Sequence, residues 1–271
     1  MSAKRTTTQT FLLVLLAAVL GLATGLPAQA QTAEQLITLT ELAHELSFDI
    51  AQSREVLRGR CIESEWCGVY AEELDKALDG ADTTLRLGPI ALPQIEEMLE
   101  IMDAPDRVAL FEFYLSPVGK RVVELERASR EAPFLEQIAR EGETIYQRQS
   151  DERIALIEAV DSNSDASATQ RSHDKIMVRV VEWLDEKARV SKGEPVAPVD
   201  SGLAERHRHP YHQRLSLTYE SLSDEELELF VEFLASEAGE YWMSTKRDIR
   251  RDAIRATATP ILGSLMTRLG N

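Results

Sequence analysis

The densest group of side chains able to do chemistry is His207, His209 and His212, spaced H-x-H-x-x-H in the stretch RHRHPYH. Imidazole is a common ligand for zinc, copper and nickel. In a helical turn His209 and His212 share one face, so the three rings form a candidate metal site. Pro210 makes the start of such a helix irregular, and no cysteine or methionine cluster accompanies the rings. The competing reading is a solvated basic helix start, with Arg206 and Arg208 meeting acidic neighbours. His44 and His173 stand alone on helical segments and read as structural or exposed.

A second candidate is the serine of Ser116-Pro117-Val118-Gly119-Lys120. Ser-Lys hydrolases space the pair as S-x-x-K. Here the spacing is S-x-x-x-K, and Glu240 stands 120 positions beyond Lys120 in the matching stretch. A helix-capping serine fits better. Gly119-Lys120 is no phosphate loop: the first glycine of that motif is missing, and Arg121 occupies its hydroxyl position. Acidic runs such as Glu96-Glu97 and Asp224-Glu225-Glu226-Leu227-Glu228 read as solvated helix faces. Trp66, Trp183 and Trp242 read as anchors of buried faces. No catalytic set is complete, and no cofactor is called for.

The start of the chain leads us to expect these residues outside the cytoplasm. Residues 1–30 read as a secretory signal peptide, with Lys4 and Arg5, the apolar run FLLVLLAAVLGL, and a small-x-small cleavage site at Ala28-Gln29-Ala30. The apolar run is too short for a membrane anchor, which needs roughly 20 residues. No later segment is long and apolar enough to span a bilayer, so the mature chain is expected to be periplasmic or secreted. Removing two bases takes the formal charge from −16 to −18. Such a chain repels nucleic acid and anionic surfaces and suits a cationic partner. Cys61 and Cys67 are the only cysteines. In an exported protein the pair is expected to form a local disulfide, worth about 2 kcal/mol for so short a loop.

The elements that must hold these residues are helices. Aromatic residues make up only 6% of the chain, and alternating strand patterns are scarce. Leu36, Leu39, Leu42, Leu46 and Ile50 recur at three- and four-residue steps, as do Ile95, Met98, Leu99 and Met102. The pattern predicts an all-α fold, a bundle of antiparallel helices joined by short turns. Helices are expected over 33–58, 68–79, 90–102, 105–115, 117–130, 133–160, 171–191, 203–221, 224–235 and 237–268. The polar stretch 161–169 and the Pro- and Gly-rich stretch 191–202 read as linkers. They separate an N-terminal helical half, 31–160, from a C-terminal half, 171–271.

Each half carries a similar helix-turn-helix hairpin. The first contains Phe113, Tyr114, Ser116, Pro117 and Gly119; the second contains Phe233, Ser236 and Gly239. Between 112–119 and 232–239, four of eight positions are identical. Asp103 and the Ser223-x-x-Glu226 capping box are expected to start the first helix of each hairpin. Val108, Phe111 and Leu115 are expected to form the apolar stripe of the first, and Leu227, Phe230, Val231 and Leu234 that of the second. Ser116 and Ser236 are expected to cap the second helix, with Pro117 at its first position. A glycine inside a helix costs roughly 1 kcal/mol relative to alanine, so Gly119 and Gly239 point to a close helix approach. This unit reads as an internal repeat.

The stretch Leu110–Lys120 resembles the signature of a bacterial secreted family, domain of unknown function 2059, whose members carry an F-Y-x-S-P-x-G-x-K-like motif. The resemblance rests on Phe113, Tyr114, Ser116, Pro117 and Gly119, with Lys120 one place early, and covers about 60 residues around the first hairpin. The second hairpin departs from it, with Leu234 for the tyrosine and Glu237 for the proline. The resemblance implies a helical periplasmic protein and brings no catalytic residues. With two apolar-faced hairpins and no complete catalytic set in the sequence, the expected role is non-enzymatic, through an unknown protein partner or self-association. The alternatives are a periplasmic metal or small-ligand binding protein, and a hydrolase whose site is assembled from distant residues.

Overall fold

The structure, a computed structural model, describes residues 32–64, 66–80, 87–194 and 208–270. The expected signal peptide at residues 1–30 lies outside the described residues, as does most of the expected linker at 191–202. Among the described residues there are twelve α-helices, one 3-10 turn and no strand, so the chain is an all-α bundle. Short α1 (Ala33–Leu39) leads into α2 (Leu42–Glu63), the 3-10 turn (Cys67–Tyr70) and α3 (Ala71–Gly80). Next come α4 (Leu87–Ile101), α5 (Ala104–Leu115), α6 (Pro117–Ala128), α7 (Ala132–Arg148), α8 (Asp151–Ser164) and α9 (Ala166–Ser191). The last three are α10 (Arg208–Thr218), α11 (Asp224–Ala235) and α12 (Glu237–Leu269).

Capping explains where several expected helices divide. The segment 133–160 is two helices, because the Ser150 hydroxyl accepts from the Arg153 N–H at 3.1 Å and opens α8. The segment 33–58 breaks at Thr40–Glu41, where Glu41 takes a left-handed φ of 50°, and α2 then runs on to Glu63. The stretch 161–169 is not a linker. Its polar residues are interior ones: Asp161, Ser164, Ser167 and Thr169 are all buried, and the Asp161 carboxylate accepts from the Ser167 N–H at 2.8 Å. Only Asp165, with φ 55°, interrupts the helical path there. Composition suggested solvent where the chain turns a corner inside the protein.

Two apolar cores hold the bundle, and α12 contributes to both. One gathers around Trp242, which is fully buried, with Leu46, Ile95, Leu110, Tyr114, Leu227 and Ile249. The other gathers around Leu57, Leu74, Leu78, Leu184, Ile254 and Ile261. Helix α12 packs against α2, α3, α4, α5, α9 and α11, so elements of the two halves are interleaved. Trp66 and Trp183, unlike Trp242, are only half-buried.

The second core encloses the Cys61–Cys67 disulfide, whose Cα atoms are 4.9 Å apart. The Ser64 hydroxyl accepts from the N–H groups of Trp66 and Cys67 and donates to the Asp185 carboxylate of α9 at 2.6 Å. The crosslinked loop is thereby tied to the neighbouring helix.

Candidate functional site

The α5–α6 and α11–α12 hairpins turn in the same way. Ser116 and Ser236 adopt extended backbones, and their hydroxyls accept from the N–H groups of Gly119 and Gly239 at 3.0 and 3.1 Å. Both serines are therefore caps, and the Ser116 hydroxyl is engaged by backbone. A Cβ on Gly119 would lie 2.0 Å from the Phe113 carbonyl oxygen, and one on Gly239 would lie 2.0 Å from that of Phe233. Only glycine lets the second helix leave the turn so close to the first. Asp103 caps α5 at 2.9 Å, and Ser223 with Glu226 closes the capping box of α11.

The hairpins also meet each other reciprocally. Helix α5 packs on α12, and α6 packs on α11. Phe113 and Phe233, which hold matching places, stack with ring centroids 3.8 Å apart and planes 1° from parallel. Tyr114 meets Phe233 edge-on at 5.6 Å. Arg121 of α6 pairs with Glu226 of α11 at 3.2 Å. The expected stripe of the first hairpin is corrected: Leu110, Phe111 and Tyr114 are buried, whereas Val108 and Leu115 are about 40% exposed. The helix is turned so that Phe113 and Tyr114 face the other hairpin. In the second hairpin Leu227, Phe230 and Leu234 are buried as expected, joined by Phe233, with Val231 at the margin.

The outward side of the hairpins combines apolar and acidic groups. Val108, Leu115 and Leu229 are exposed. Asp106 lies in the first turn of α5 and feels the charges of its cap Asp103 and of Glu237, at the start of α12. Loss of solvent, then the Asp103 and Glu237 charges, push the Asp106 carboxyl up.

The histidine set divides. His207 and the side chain of His209 lie outside the described residues. His212 is buried, and its Nε2 lies 3.0 Å from the Asp161 carboxylate. That contact ties α10 to α8. Among the described residues no three His, Cys, Asp or Glu side chains gather where a metal ion would sit. His44 is exposed and His173 is buried.

Sequence reading missed a charged layer between α2, α6, α10 and α12. Glu45 is almost fully buried and forms ion pairs with Lys246 at 2.7 Å, Arg130 at 3.2 Å and Arg250 at 3.4 Å. Burial would raise its carboxyl, but Lys246, Arg130 and Arg250 together hold it well below the ordinary 4.5. Asp49, one turn along α2, pairs with Arg250 at 2.8 Å. Burial nevertheless pushes the Asp49 carboxyl above its usual value. Glu126 accepts from the Tyr219 hydroxyl at 2.9 Å and lies 3.9 Å from both Arg130 and Lys246. A signal was present in the sequence. Lys246 and Arg250 stand at i and i+4 between Trp242 and Ala253, and Glu45 and Asp49 share that spacing beside Leu46 and Ile50. Bases and acids set so regularly into apolar stripes mark partners that meet inside.

The fold and these clusters define an all-α bundle with two closely matched hairpins and a buried ionic layer. Neither the family models nor the curated proteins nor the solved structures yield a match to this chain.

Proposed function

We propose that this chain is an exported, non-enzymatic helical protein that acts by contact with another protein, through the outward side of its hairpin pair. The leader-like pattern of residues 1–30 supports export. The observation that carries the contact reading is the hairpin surface itself. Val108, Leu115 and Leu229 stay in water, and Asp106, at the start of α5, feels the like charges of Asp103 and of Glu237 on α12. A cationic segment with an apolar side would relieve that repulsion and cover the exposed side chains. The two hairpins read as copies of one unit, and the bundle reads as a relative of the domain of unknown function 2059 family.

A photoreactive residue in place of Leu229, in protein exported to the periplasm, tests the reading. A discrete adduct is expected there and not when the same residue replaces Gln147, on α7. Binding of the partner so found should weaken as salt rises, because surface charges are screened within about 10 Å at 0.1 M. No adduct at Leu229, or equal adducts at both positions, would sink the proposal.

A further inference from the structure

Beside the ionic layer lies a cavity of about 340 Å³, lined by residues of α2, α9 and α10. That is at the small end of the range for ligand pockets, about 300–1,000 Å³. Its walls combine an apolar side, from Phe48 and Val56, with Tyr211, Arg214, His173 and the paired Asp49. Gln52, at its mouth, is exposed.

Within the layer, charges balance until Arg214 is counted. Glu45, Asp49 and Glu126 face Arg130, Lys246 and Arg250, three against three. Arg214 is a fourth base. Among the described residues its guanidinium makes one long hydrogen bond, 3.4 Å to the Ser129 carbonyl, and lies 5.8 Å from the centre of the Phe48 ring. It forms no ion pair there, although a guanidinium carries five N–H donors. Burial pushes its pKa down, the mark of a charge held out of water. His173 adds a second unmet group. It is 2% exposed, and its Nε2 has no hydrogen-bond partner. Arg60 brings another base to the cavity rim, opposite Asp174, which accepts from Gln170 at 3.2 Å.

We propose that this cavity binds a small organic oxyanion, with the Arg214 guanidinium as its counter-ion, His173 Nε2 as a hydrogen-bond partner and Phe48 against its apolar body. A carboxylate and a phosphate ester share this chemistry, since both accept two parallel bonds from one guanidinium. The site is separate from the hairpin surface and takes a different class of ligand.

The test is titration of the purified protein with benzoate, phenyl phosphate and benzylamine, followed by calorimetry and by the amide signals of 170–174 and 211–214. One anion or both should bind and move those signals, and benzylamine should not. Benzoate binding more tightly assigns a carboxylate; phenyl phosphate binding more tightly assigns a phosphate ester. Arg214→Gln should weaken the anion by about tenfold or more with its helical signal kept. Val56→Trp, which fills the cavity and leaves every charge in place, should abolish binding, and covers the case in which Arg214→Gln does not fold. Failure of both anions to bind, or binding unchanged in Arg214→Gln or Val56→Trp, overturns the proposal.

Discussion

At the scale of single residues, the tightest constraint is a missing methyl group. Gly119→Ala and Gly239→Ala each force a Cβ to within 2.0 Å of a backbone carbonyl, which cannot swing away as a side-chain end can. Each should cost about 3 kcal/mol, at the upper end for forced overpacking. Gly59→Ala is the control. It sits inside α2 with nothing within 4 Å of an added Cβ, and should stabilise by up to about 1 kcal/mol. Urea unfolding midpoints of the three variants separate a steric glycine from an incidental one. The buried titrating groups give a second prediction. Burial, with Arg250 nearby, lowers the His173 pKa from 6.5 to about 3. Below pH 6.5 the unfolded chain therefore takes up a proton that the folded chain refuses. The stability tied to His173 is complete above pH 6.5 and drains as pH falls toward 3. Glu45, held below 4.5, adds its own loss below that value, while the raised Asp49 acts in the opposite sense. Unfolding midpoints at pH 7.5 and pH 5 should differ in the native protein and differ less in His173→Gln. Glu45→Gln should lower stability at neutral pH by about 3 kcal/mol, because it strands buried bases.

At the scale of elements, capping decides where helices begin, and capping was largely legible. Ser→Ala at Ser116 or Ser236 should each cost about 1 kcal/mol by thermal unfolding, and Ser→Gly clearly less. Equal losses from both substitutions would mean that the hydroxyl is not the cap. The turn serines, the glycines, Asp103 and the Ser223–Glu226 box could be read directly, because each acts within six residues of itself. The all-α class was legible for the same reason, from local periodicity. What the sequence hid depends on distant partners. Helix α5 offers apolar residues on more than one side, so which side is buried is settled by the Phe113–Phe233 stack, formed between residues far apart in the chain. The stretch 161–169 looked like a linker because its serines and aspartates are polar, yet Asp161 is satisfied by Ser167 and by His212. The charged layer was missed because each of its acids looks like an ordinary exposed helix carboxylate until its base is placed against it.

At the scale of the whole molecule, two cores share α12, and one of them is fastened by the disulfide. Cys61→Ser with Cys67→Ser should lower stability by about 2 kcal/mol, a modest amount because the loop is short. Unfolding curves of the oxidised and reduced protein should show the same difference, and helical circular dichroism should persist in both. The reciprocal hairpin contact reaches further. Each hairpin presents to the other nearly the surface that it receives, with like residues at the centre. Such a contact has the form of a two-fold dimer interface, except that one chain supplies both sides and its length fixes their local concentration. A fragment carrying a single hairpin would keep that adhesive face and lose its built-in mate. It should then seek the face on a second molecule, so that breaking the chain turns part of its own interior into a seed for pairing.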